Sequence, residues 1–257
     1  MTSTQAQSQA DRARSFAALH QKGTPLVLYN IWDAGSARTL AKAGAQALAT
    51  GSWSVAAAQG YDDGEQIPLD LLIRLLERIT ASTDLPVSLD VEGGYAIDPA
   101  PLAANIAKVI KAGAIGINFE DRIVQGKGLH DITEQAARIA AIRAQAQAQG
   151  VPLFINARTD LFLANPVDAH GAQMNQAITR AAAYAQAGAS GFFVPGLTDP
   201  DLIAQIVAAT DLPVNVMMSA TQIPAGALAE RGVARISHGP GPYRTAQQDL
   251  QQRFLAL

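Results

Sequence analysis

The chain contains no cysteine among its 257 residues. This absence excludes disulfide bonds, thiolate metal sites and any catalysis that depends on a cysteine nucleophile or acid. Positive charge is also scarce, since 19 lysine and arginine residues accompany 22 acidic residues and the basic ones form no block. Such a chain has no long-range attraction for nucleic acid or for an anionic membrane surface. We therefore expect neither of these as a partner.

Long hydrophobic runs are missing too. No stretch approaches the ~20 apolar residues of a membrane-spanning helix, and the N-terminal MTSTQAQSQADRARSF has no apolar core of the kind that signal peptides need. These features predict a cytoplasmic protein. Hydrophobic residues nevertheless make up 49% of the chain and charged residues 16%. A chain of this length can bury a large core, either in one α/β domain or in two smaller ones.

Eight short apolar runs follow either a proline or an Ala-Gly-Ala type of segment, and the two kinds of entrance alternate along the chain. Glycine after a helical stretch is a common C-cap, and proline is tolerated at the first residue of a strand but not inside one. Alanine-rich helical stretches lie between most of the runs, among them Leu69–Ile79, Pro101–Lys111, Glu134–Gln149 and Asn175–Gln186. The predicted strands are Leu26–Asn30, Ala47–Thr50, Val87–Asp90, Ile115–Glu120, Leu153–Ala157, Gly191–Val194, Val214–Met217 and Ala234–Ser237.

Eight strands alternating with helices in about 250 residues are typical of an α/β fold of the (β/α)₈ TIM-type barrel class, whose active sites lie where the strands end. A doubly wound sheet is the main alternative, but it would usually have fewer strands and a glycine-rich phosphate turn after the first one. The first turn of this chain reads NIWDAG at 30–35 and lacks that motif. Because no linker divides the chain, we predict one barrel domain over residues 1–257, with an N-terminal capping helix within residues 1–22.

The sequence VSLDVEGGY at 87–95 places two acids and two glycines at the end of an apolar run. Side chains two residues apart in an extended strand point the same way, so Asp90 and Glu92 would project into one space. Two carboxylates aimed at one point suit Mg²⁺. The alternative is a pair of solvated acids at a strand exit, but the preceding residues indicate a buried strand, where unpaired carboxylates are costly.

Polar side chains accumulate at the other predicted strand ends as well. Helix capping would explain Asp33, Ser52 or Asp160 equally well, but it does not readily explain several acids and an arginine at one mouth. The strand ends supply Tyr29, Asn30, Trp32, Asp33, Thr50, Gly51, Ser52, Trp53, Asp90, Glu92, Asn118, Glu120, Asp121, Asn156, Arg158, Asp160, Asn215, Ser237 and His238.

Six segments in this order resemble motifs of the isocitrate lyase/phosphoenolpyruvate mutase superfamily. They are NIWDAGSAR (30–38), ATGS (49–52) with GYDD (60–63), LDVEGGY (89–95), NFED (118–121), NARTD (156–160) and GVARIS (232–237). The resemblance runs from about Gly23 to Arg244. It implies an enzyme that requires Mg²⁺, with Mn²⁺ as the alternative ion, and that makes or breaks a C–C or P–C bond beside a 2-oxo acid or related carboxylate. It also implies a homo-oligomer, a dimer or a tetramer with exchanged C-terminal helices.

The resemblance further implies roles for single residues. The metal acids are Asp90, Glu92 and Glu120, with Asp63 and Asp121 beside the metal's water shell; the substrate contacts are Tyr29, Trp32, Thr50, Gly51, Ser52, Trp53, Arg158 and Asn215. Many family members have aspartate where this chain has Glu92, and a longer side chain there would bind the metal through water. The Arg158 fork can grip a carboxylate with two hydrogen bonds, although a salt bridge to Asp160 or Glu120 is the alternative role.

Residues 122–131, RIVQGKGLHD, follow the fourth strand and are predicted to form an active-site lid, since Gly126 and Gly128 permit hinge-like backbone changes. Lyases of the superfamily carry a cysteine acid there in a KKCGH pattern. Mutases resemble one another in a lysine- and asparagine-bearing loop and in a histidine after the sixth strand. This chain has neither set, so a lid acid would be Lys127 or His130, or absent. The candidate catalytic residues are therefore Asp63, Glu120, His130 and Arg158, while His20 and His170 are expected at the surface.

These observations predict a Mg²⁺-dependent lyase or decarboxylase. The bond that breaks would lie next to the carbonyl of a small 2-oxo or 2-hydroxy di- or tricarboxylate, because a divalent ion stabilises the enolate that results. Two alternatives stay open: a phosphonopyruvate-type mutase or hydrolase, and a catalytically silent barrel that only binds a carboxylate.

Overall fold

Eight parallel strands form a nearly closed barrel in this computed structural model, which describes residues 7–218 and 223–257. The order in the sheet is β1-β8-β7-β6-β5-β4-β3-β2, and an isolated bridge between Ile31 and Thr50 links its two edges. The strands are β1 (Leu26–Leu28), β2 (Leu48–Ala49), β3 (Val87–Asp90), β4 (Gly116–Glu120), β5 (Phe154–Arg158), β6 (Gly191–Phe193), β7 (Val214–Met217) and β8 (Arg235–Ser237). The predicted TIM-type (β/α)₈ architecture is confirmed.

Helices alternate with these strands and cover much of the barrel. Leu72, Leu76 and Ile79 show the reason in one of them, since their spacing of three to four residues turns all three toward the core, where they are buried. The helices are α1 (Gln9–Ala18), α2 (Ala34–Lys42), α3 (Ser52–Ala58), α4 (Leu69–Thr80), α5 (Pro99–Lys111), α6 (Ile132–Ala148), α7 (His170–Gln186), α8 (Pro200–Ala209), α9 (Ala225–Glu230) and α10 (Gly241–Leu255), with 3₁₀ turns at Asp160–Phe162 and Val167–Ala169.

The predicted elements differ from the observed ones mainly at their ends. The first strand was expected to reach Asn30 but ends at Leu28, because the chain beyond Leu28 has no continuous ladder with β2. α7 begins five residues before the predicted Asn175, since it continues directly from a 3₁₀ turn. The capping helix lies within residues 1–22 as expected, at Gln9–Ala18, while residues 1–6 of that segment are outside the described residues.

The helix α1 closes the barrel at the N-terminal ends of the strands. The Phe16 ring meets the Phe154 ring edge-on at 5.3 Å, and the His20 ring stacks on Phe154 at 4.0 Å. His20 is thus buried, and the expectation of a surface position was wrong because its ring forms part of this floor. Burial, with a further effect of the Arg235 charge, lowers the pKa of His20 to about 3.

His170 is likewise buried instead of exposed, because its Nε2 hydrogen-bonds the Phe162 carbonyl oxygen at 2.9 Å. No helix in the described parts of the chain is both long enough and apolar enough to cross a membrane.

Candidate active site

A cavity opens at the carboxyl ends of the strands, where parallel strands bring their last residues together. It encloses about 620 Å³ when its open mouth is included. Its lining consists of Asn30, Gly51, Ser52, Trp53, Asp63, Asp90, Asn118, Arg158, Leu163, Phe193, Pro195, Met217, Ser237, Gly239 and Pro240. Six of the predicted site residues are therefore brought to one cavity: Gly51, Ser52, Trp53, Asp63, Asp90 and Arg158.

Arg158 lies at the end of β5 and is surrounded by acids. Its Nε and Nη2 donate to the two carboxylate oxygens of Asp160 at 2.5 and 2.9 Å. Its Nη1 lies 3.0 Å from Glu120 Oε2 and 4.0 Å from Asp90 Oδ2. Burial alone would lower the pKa of Arg158, but the three carboxylates raise it above its usual value, so the guanidinium stays charged. The salt bridges to Asp160 and Glu120, which are the alternative role of Arg158, are thus present in the structure.

The acids at this mouth outnumber the single arginine. Burial raises the pKa of Asp90; the Arg158 charge opposes this, and the charge of Asp63 raises it further. The pKa of Glu120 is raised well above its usual value, first by burial and then, against the effect of Arg158, by neighbouring carboxylates. An excess of buried negative charge built from hard oxygen donors suits a divalent ion such as Mg²⁺.

The donor set therefore fits a metal by its charge and chemistry, although the acids do not yet converge on one point. No group of three or more His, Asp or Glu side chains among the described residues is arranged to hold an ion. Asp63 and Asp90 both reach the cavity. Glu120 does not line the cavity, but its Oε2 lies 3.0 Å from Nη1 of Arg158, which does.

Glu92 departs from the arrangement expected of it. β3 ends at Asp90, and the backbone at Glu92 is left-handed with φ of 51°, so the rule that aligns side chains two apart in a strand does not apply there. Its carboxylate instead accepts hydrogen bonds from the backbone N–H groups of Gly64 at 2.8 Å and Glu65 at 3.0 Å. Burial, followed by repulsion from Asp63, raises the pKa of Glu92 to about 8. The strand alternation that was expected to align Asp90 with Glu92 is therefore absent, although the Asp90 charge still acts on Glu92; a metal site shared by the two acids stays a prediction.

The loop after β2 is held in place by two buried polar side chains. Thr50 Oγ1 accepts a hydrogen bond from the backbone N–H of Asp90 at 2.9 Å, so Thr50 supports the cavity from behind. Asn30 donates through Nδ2 to the Thr50 carbonyl at 2.8 Å, and its Oδ1 accepts from the N–H groups of His238 and Gly239, both at 2.9 Å. Asn30 also lines the cavity. Sequence reasoning noted it at a strand end but assigned it no role.

Besides Thr50, three predicted substrate contacts lie outside the cavity lining. The Tyr29 side chain is 46% exposed beside the His238 ring, because the residue lies just past the end of β1. Trp32 packs edge-on against Tyr243 at 5.2 Å. Asn215 is buried and donates from Nδ2 to Ser237 Oγ at 3.1 Å. Tyr29 and Trp32 thus pack against neighbouring rings, and Asn215 supports Ser237, which lines the cavity. Substrate contact by any of the three stays a prediction.

His130 lies in a separate cavity. Its Nδ1 is 3.1 Å from Glu134 Oε2, and the surrounding wall includes Glu65, Tyr95 and Arg138. The structure therefore does not bring this candidate proton donor to the mouth.

The predicted lid, residues 122–131, forms a loop with a closed base. Arg122 and Leu129 pair as an antiparallel bridge, and the N–H of His130 donates to the Asp121 carbonyl at 2.8 Å. Val124 lies close to Gly64 and Gly93. The loop thus rests on the segments that carry Asp63 and Glu92 and does not line the main cavity; its function as a lid stays a prediction.

Two further groups had no role assigned to them from the sequence. One is an apolar wall formed by Leu163, Phe193, Pro195 and Met217. The other is Asn118, whose Oδ1 accepts hydrogen bonds from Asn156 Nδ2 at 2.9 Å and from Arg235 Nη2 at 3.1 Å. Arg235 is fully buried inside the barrel. The NFED and GVARIS segments contained both residues, but their contacts join strands far apart in sequence.

Comparisons with known proteins identify the family to which the chain belongs. The family model described as phosphoenolpyruvate phosphomutase matches residues 16–257. The 2-methylisocitrate lyase of Escherichia coli K12 is 30% identical over 207 residues, which cover 78% of this chain and 68% of that enzyme. An oxaloacetate decarboxylase of Bradyrhizobium sp. BTAi1 is 29% identical over 239 residues, 89% of this chain and 78% of that enzyme. A crystal structure from Burkholderia cenocepacia J2315, with a provisional phosphonomutase assignment, has a TM-score of 0.93 and 51% identity over 95% of this chain and 98% of its own.

Proposed function

Because the chain belongs to the phosphoenolpyruvate phosphomutase family, within a superfamily of lyases, mutases and hydrolases, we propose that it is a Mg²⁺-dependent carbon–carbon lyase. Its substrate is a small 2-oxo acid with a second carboxylate, and the reaction is the loss of that carboxylate as CO₂. Mn²⁺ is the alternative ion.

The observation that carries the proposal is the cavity lining. It offers acids for a divalent ion and one arginine, and the described lining residues include no lysine, histidine or tyrosine. Lyases that release a carbanion fragment need an acid to protonate it. Loss of CO₂ needs none at the departing group, because CO₂ leaves as a neutral molecule. Decarboxylation is thus the reaction that these side chains support best.

The residues have separate tasks in this reaction. Asp90 and Asp63, with Glu120, would hold the ion, which supplies positive charge beside the oxygen on which negative charge develops. Arg158 keeps its positive charge at the mouth, and its Nη1 is the part of the fork not bonded to Asp160. A substrate carboxylate would be met by the Ser52 hydroxyl and by Nη1, which also lies 3.0 Å from Glu120 Oε2; the two-pronged grip stays a prediction.

Bond breaking is balanced without a protein acid. The C3–C4 bond of the substrate breaks, its electron pair moves toward the C2 oxygen, and C4 departs as CO₂. C3 then takes one proton from solvent. Thr50 holds Asp90 in position during this step through its bond to the Asp90 N–H, and Asn118 lies beside Asp90 as its partner in the neighbouring strand.

A phosphonopyruvate-type reaction is the second candidate, favoured by the 51% identity to the Burkholderia protein with its provisional phosphonomutase assignment. One screen separates the two. Oxaloacetate, 2-methylisocitrate, isocitrate and phosphonopyruvate are each incubated with the enzyme in Mg²⁺ and in EDTA. We expect Mg²⁺-dependent formation of pyruvate from oxaloacetate above the rate with metal alone. Conversion of phosphonopyruvate instead would establish P–C chemistry, and no turnover of any compound would indicate a silent barrel.

A further inference from the structure

The two sides of the cavity differ in polarity. On the side of β2, β3 and β4 lie the loop after β2 and the acids Asp63 and Asp90. On the side of β5, β6 and β7 lie four apolar residues, with Phe193 in β6, Met217 in β7, Leu163 in the loop after β5 and Pro195 just after β6. A ligand held by its carboxylate and 2-oxo group on the first side must direct its other substituents toward the second.

Positive charge is limited to one part of this cavity. Arg158 is the one cationic side chain among the described lining residues, and it already contacts Glu120, Asp160 and Asp90. Arg244 lies nearby but is stacked over the Trp53 ring, 4.5 Å from its centroid. Residues 219–222 read Ser-Ala-Thr-Gln and contain no cation. Arg158 itself ends β5 and lies 6.0 Å from the centroid of the Phe193 ring. A phosphonate or a third carboxylate on the apolar side would therefore find only this cation, which three carboxylates already share, and a desolvated charge that is only partly neutralised is costly.

We infer that the substrate carries a small alkyl group on C3 that packs against Leu163, Phe193, Pro195 and Met217, so that the preferred class is the 3-alkyl 2-oxo diacids. This inference rests on the proposed decarboxylation. The balance of the reaction is unchanged: C3–C4 breaks, CO₂ leaves, and C3 takes a proton, which gives the 2-oxo acid homologous to pyruvate. Each buried methylene contributes ~0.8 kcal/mol, so affinity rises about four-fold per methylene.

The products provide a direct test because they form a series in which the alkyl group grows by one methylene at a time. Dissociation constants are measured by isothermal titration, with Mg²⁺ present, for pyruvate, 2-oxobutanoate and 2-oxopentanoate. We expect each step to bind about four-fold more tightly, and 2-oxoglutarate and phosphonopyruvate to bind more weakly than 2-oxopentanoate. Equal or falling affinity along this series would overturn the inference. Tighter binding of 2-oxoglutarate or phosphonopyruvate than of 2-oxopentanoate would also overturn it.

Variants assign the effect to the wall. Leu163→Ala and Met217→Ala should each reduce the increase in affinity between pyruvate and 2-oxopentanoate. Val167→Ala is the matched control, since Val167 is in the same connection between β5 and α7 and 67% exposed but does not line the cavity. Leu163→Arg should improve binding of 2-oxoglutarate. If both alanine variants keep the full increase in affinity from pyruvate to 2-oxopentanoate, this wall does not bind the alkyl group.

Oxalate separates failure of the inference from failure of the proposed function, because it has the two adjacent oxygen-bearing carbons but no C3. Mg²⁺-dependent binding of oxalate, together with equal affinity for the three 2-oxo acids, would overturn the alkyl preference alone. Absence of binding by oxalate and by every member of the series would overturn both.

Discussion

Arg158 illustrates how a single residue combines a structural and a functional task. One edge of its guanidinium, formed by Nε and Nη2, is fixed by Asp160, which leaves Nη1 directed at Glu120 and Asp90. A planar fork with five donors can make these contacts at once, whereas a lysine ammonium is a point charge on a flexible stem. The orientation of the cation, and not only its charge, therefore depends on arginine.

Arg158→Lys should preserve the fold but weaken Mg²⁺-dependent oxalate binding roughly 10-fold to 100-fold, as expected when a hydrogen bond to a charged group is lost. Titration calorimetry measures the binding, and the thermal midpoint reports on the fold. Arg143→Lys is the control, because Arg143 bonds to the Gly188 and Leu153 carbonyls away from the cavity. Unchanged oxalate affinity in Arg158→Lys would assign this arginine to structure.

Glu92 makes the stability of the metal-free protein depend on pH. Its pKa in the folded protein is raised to about 8 from an ordinary value of 4.5, mainly by burial. Between these values the unfolded chain loses its proton first, so the folded state binds more protons and stability falls as pH rises. The contribution is fully present below pH 4.5 and is lost by about pH 8.

We therefore expect the free energy of unfolding in EDTA to decrease from about pH 5 to about pH 8, and the slope to be smaller in Glu92→Gln. Glutamine keeps an acceptor oxygen for the Gly64 and Glu65 N–H groups but cannot ionise. Urea denaturation at several pH values measures both slopes. A variant with the same slope as the parent would show that Glu92 does not titrate in this range.

The sequence predicted such residues unevenly, for a physical reason. Asp90 could be placed because it ends a strand whose alternation is local. The direction of the Glu92 side chain could not, since it depends on a left-handed backbone and on N–H groups 27 and 28 residues away. Asn30 and Asn118 were visible at strand ends, but their partners lie on other strands.

At the scale of elements, the loop at 122–131 is stabilised where it meets the barrel. Asp121 at its start accepts hydrogen bonds from Arg180 Nη1 at 2.9 Å and from the Tyr184 hydroxyl at 2.8 Å. Arg180 also donates to the His130 carbonyl at the other end of the loop. Both ends of the loop are thus held by hydrogen bonds, and Val124 in its tip lies beside Gly64 and Gly93.

An ion that draws Asp63 toward Asp90 should also steady this tip. We expect trypsin to cut the exposed Lys127–Gly128 bond several-fold more slowly with Mg²⁺ and oxalate than without them. The Lys22–Gly23 bond is a matched control in a turn remote from the cavity, and its cutting rate should not change. Equal rates at Lys127 in both conditions would show that 122–131 is an ordinary surface loop.

The eight strands were predicted to within two residues at each end because each depends on a local signal, a proline or glycine entrance and a short apolar run. The apolar wall was not. Phe193 and Met217 were placed in strands, but the alternation of a short buried strand does not show which residues face the barrel interior, since both faces are apolar. Leu163 lies in a connection whose path follows from the Arg158–Asp160 contact and a 3₁₀ turn.

At the scale of the whole molecule, several of the exposed apolar side chains among the described residues lie on the last helix. The helix α10 presents Leu250, Phe254 and Leu255 to solvent, and the β1 residue Val27 is 50% exposed although it belongs to a barrel strand. Exposed apolar groups of this kind mark association surfaces. We propose that they mediate the homo-oligomer, a dimer or a tetramer, that the sequence predicted.

Light scattering should then give a mass that is a multiple of 26.9 kDa. The double substitution Phe254→Glu and Leu255→Glu should reduce it, because buried charge without a partner disfavours association. Val167→Glu, on another exposed apolar residue, should leave it unchanged. A monomeric parent protein at micromolar concentration would contradict the proposal.

The central claim is that the acids at the barrel mouth hold a divalent ion for cleavage of a 2-oxo diacid. Its most direct test is the rate of CO₂ release from oxaloacetate and from its 3-methyl homologue, corrected for release by the metal alone. The rate is measured for the parent protein, for Asp90→Asn and for the control Asp33→Asn, since the Asp33 carboxylate caps α2 and does not line the cavity. We predict that EDTA abolishes release by the parent, that Asp90→Asn lowers kcat/KM roughly 100-fold, and that Asp33→Asn keeps most of it. Rates in Asp90→Asn or in EDTA equal to those of the parent in Mg²⁺ would contradict this account.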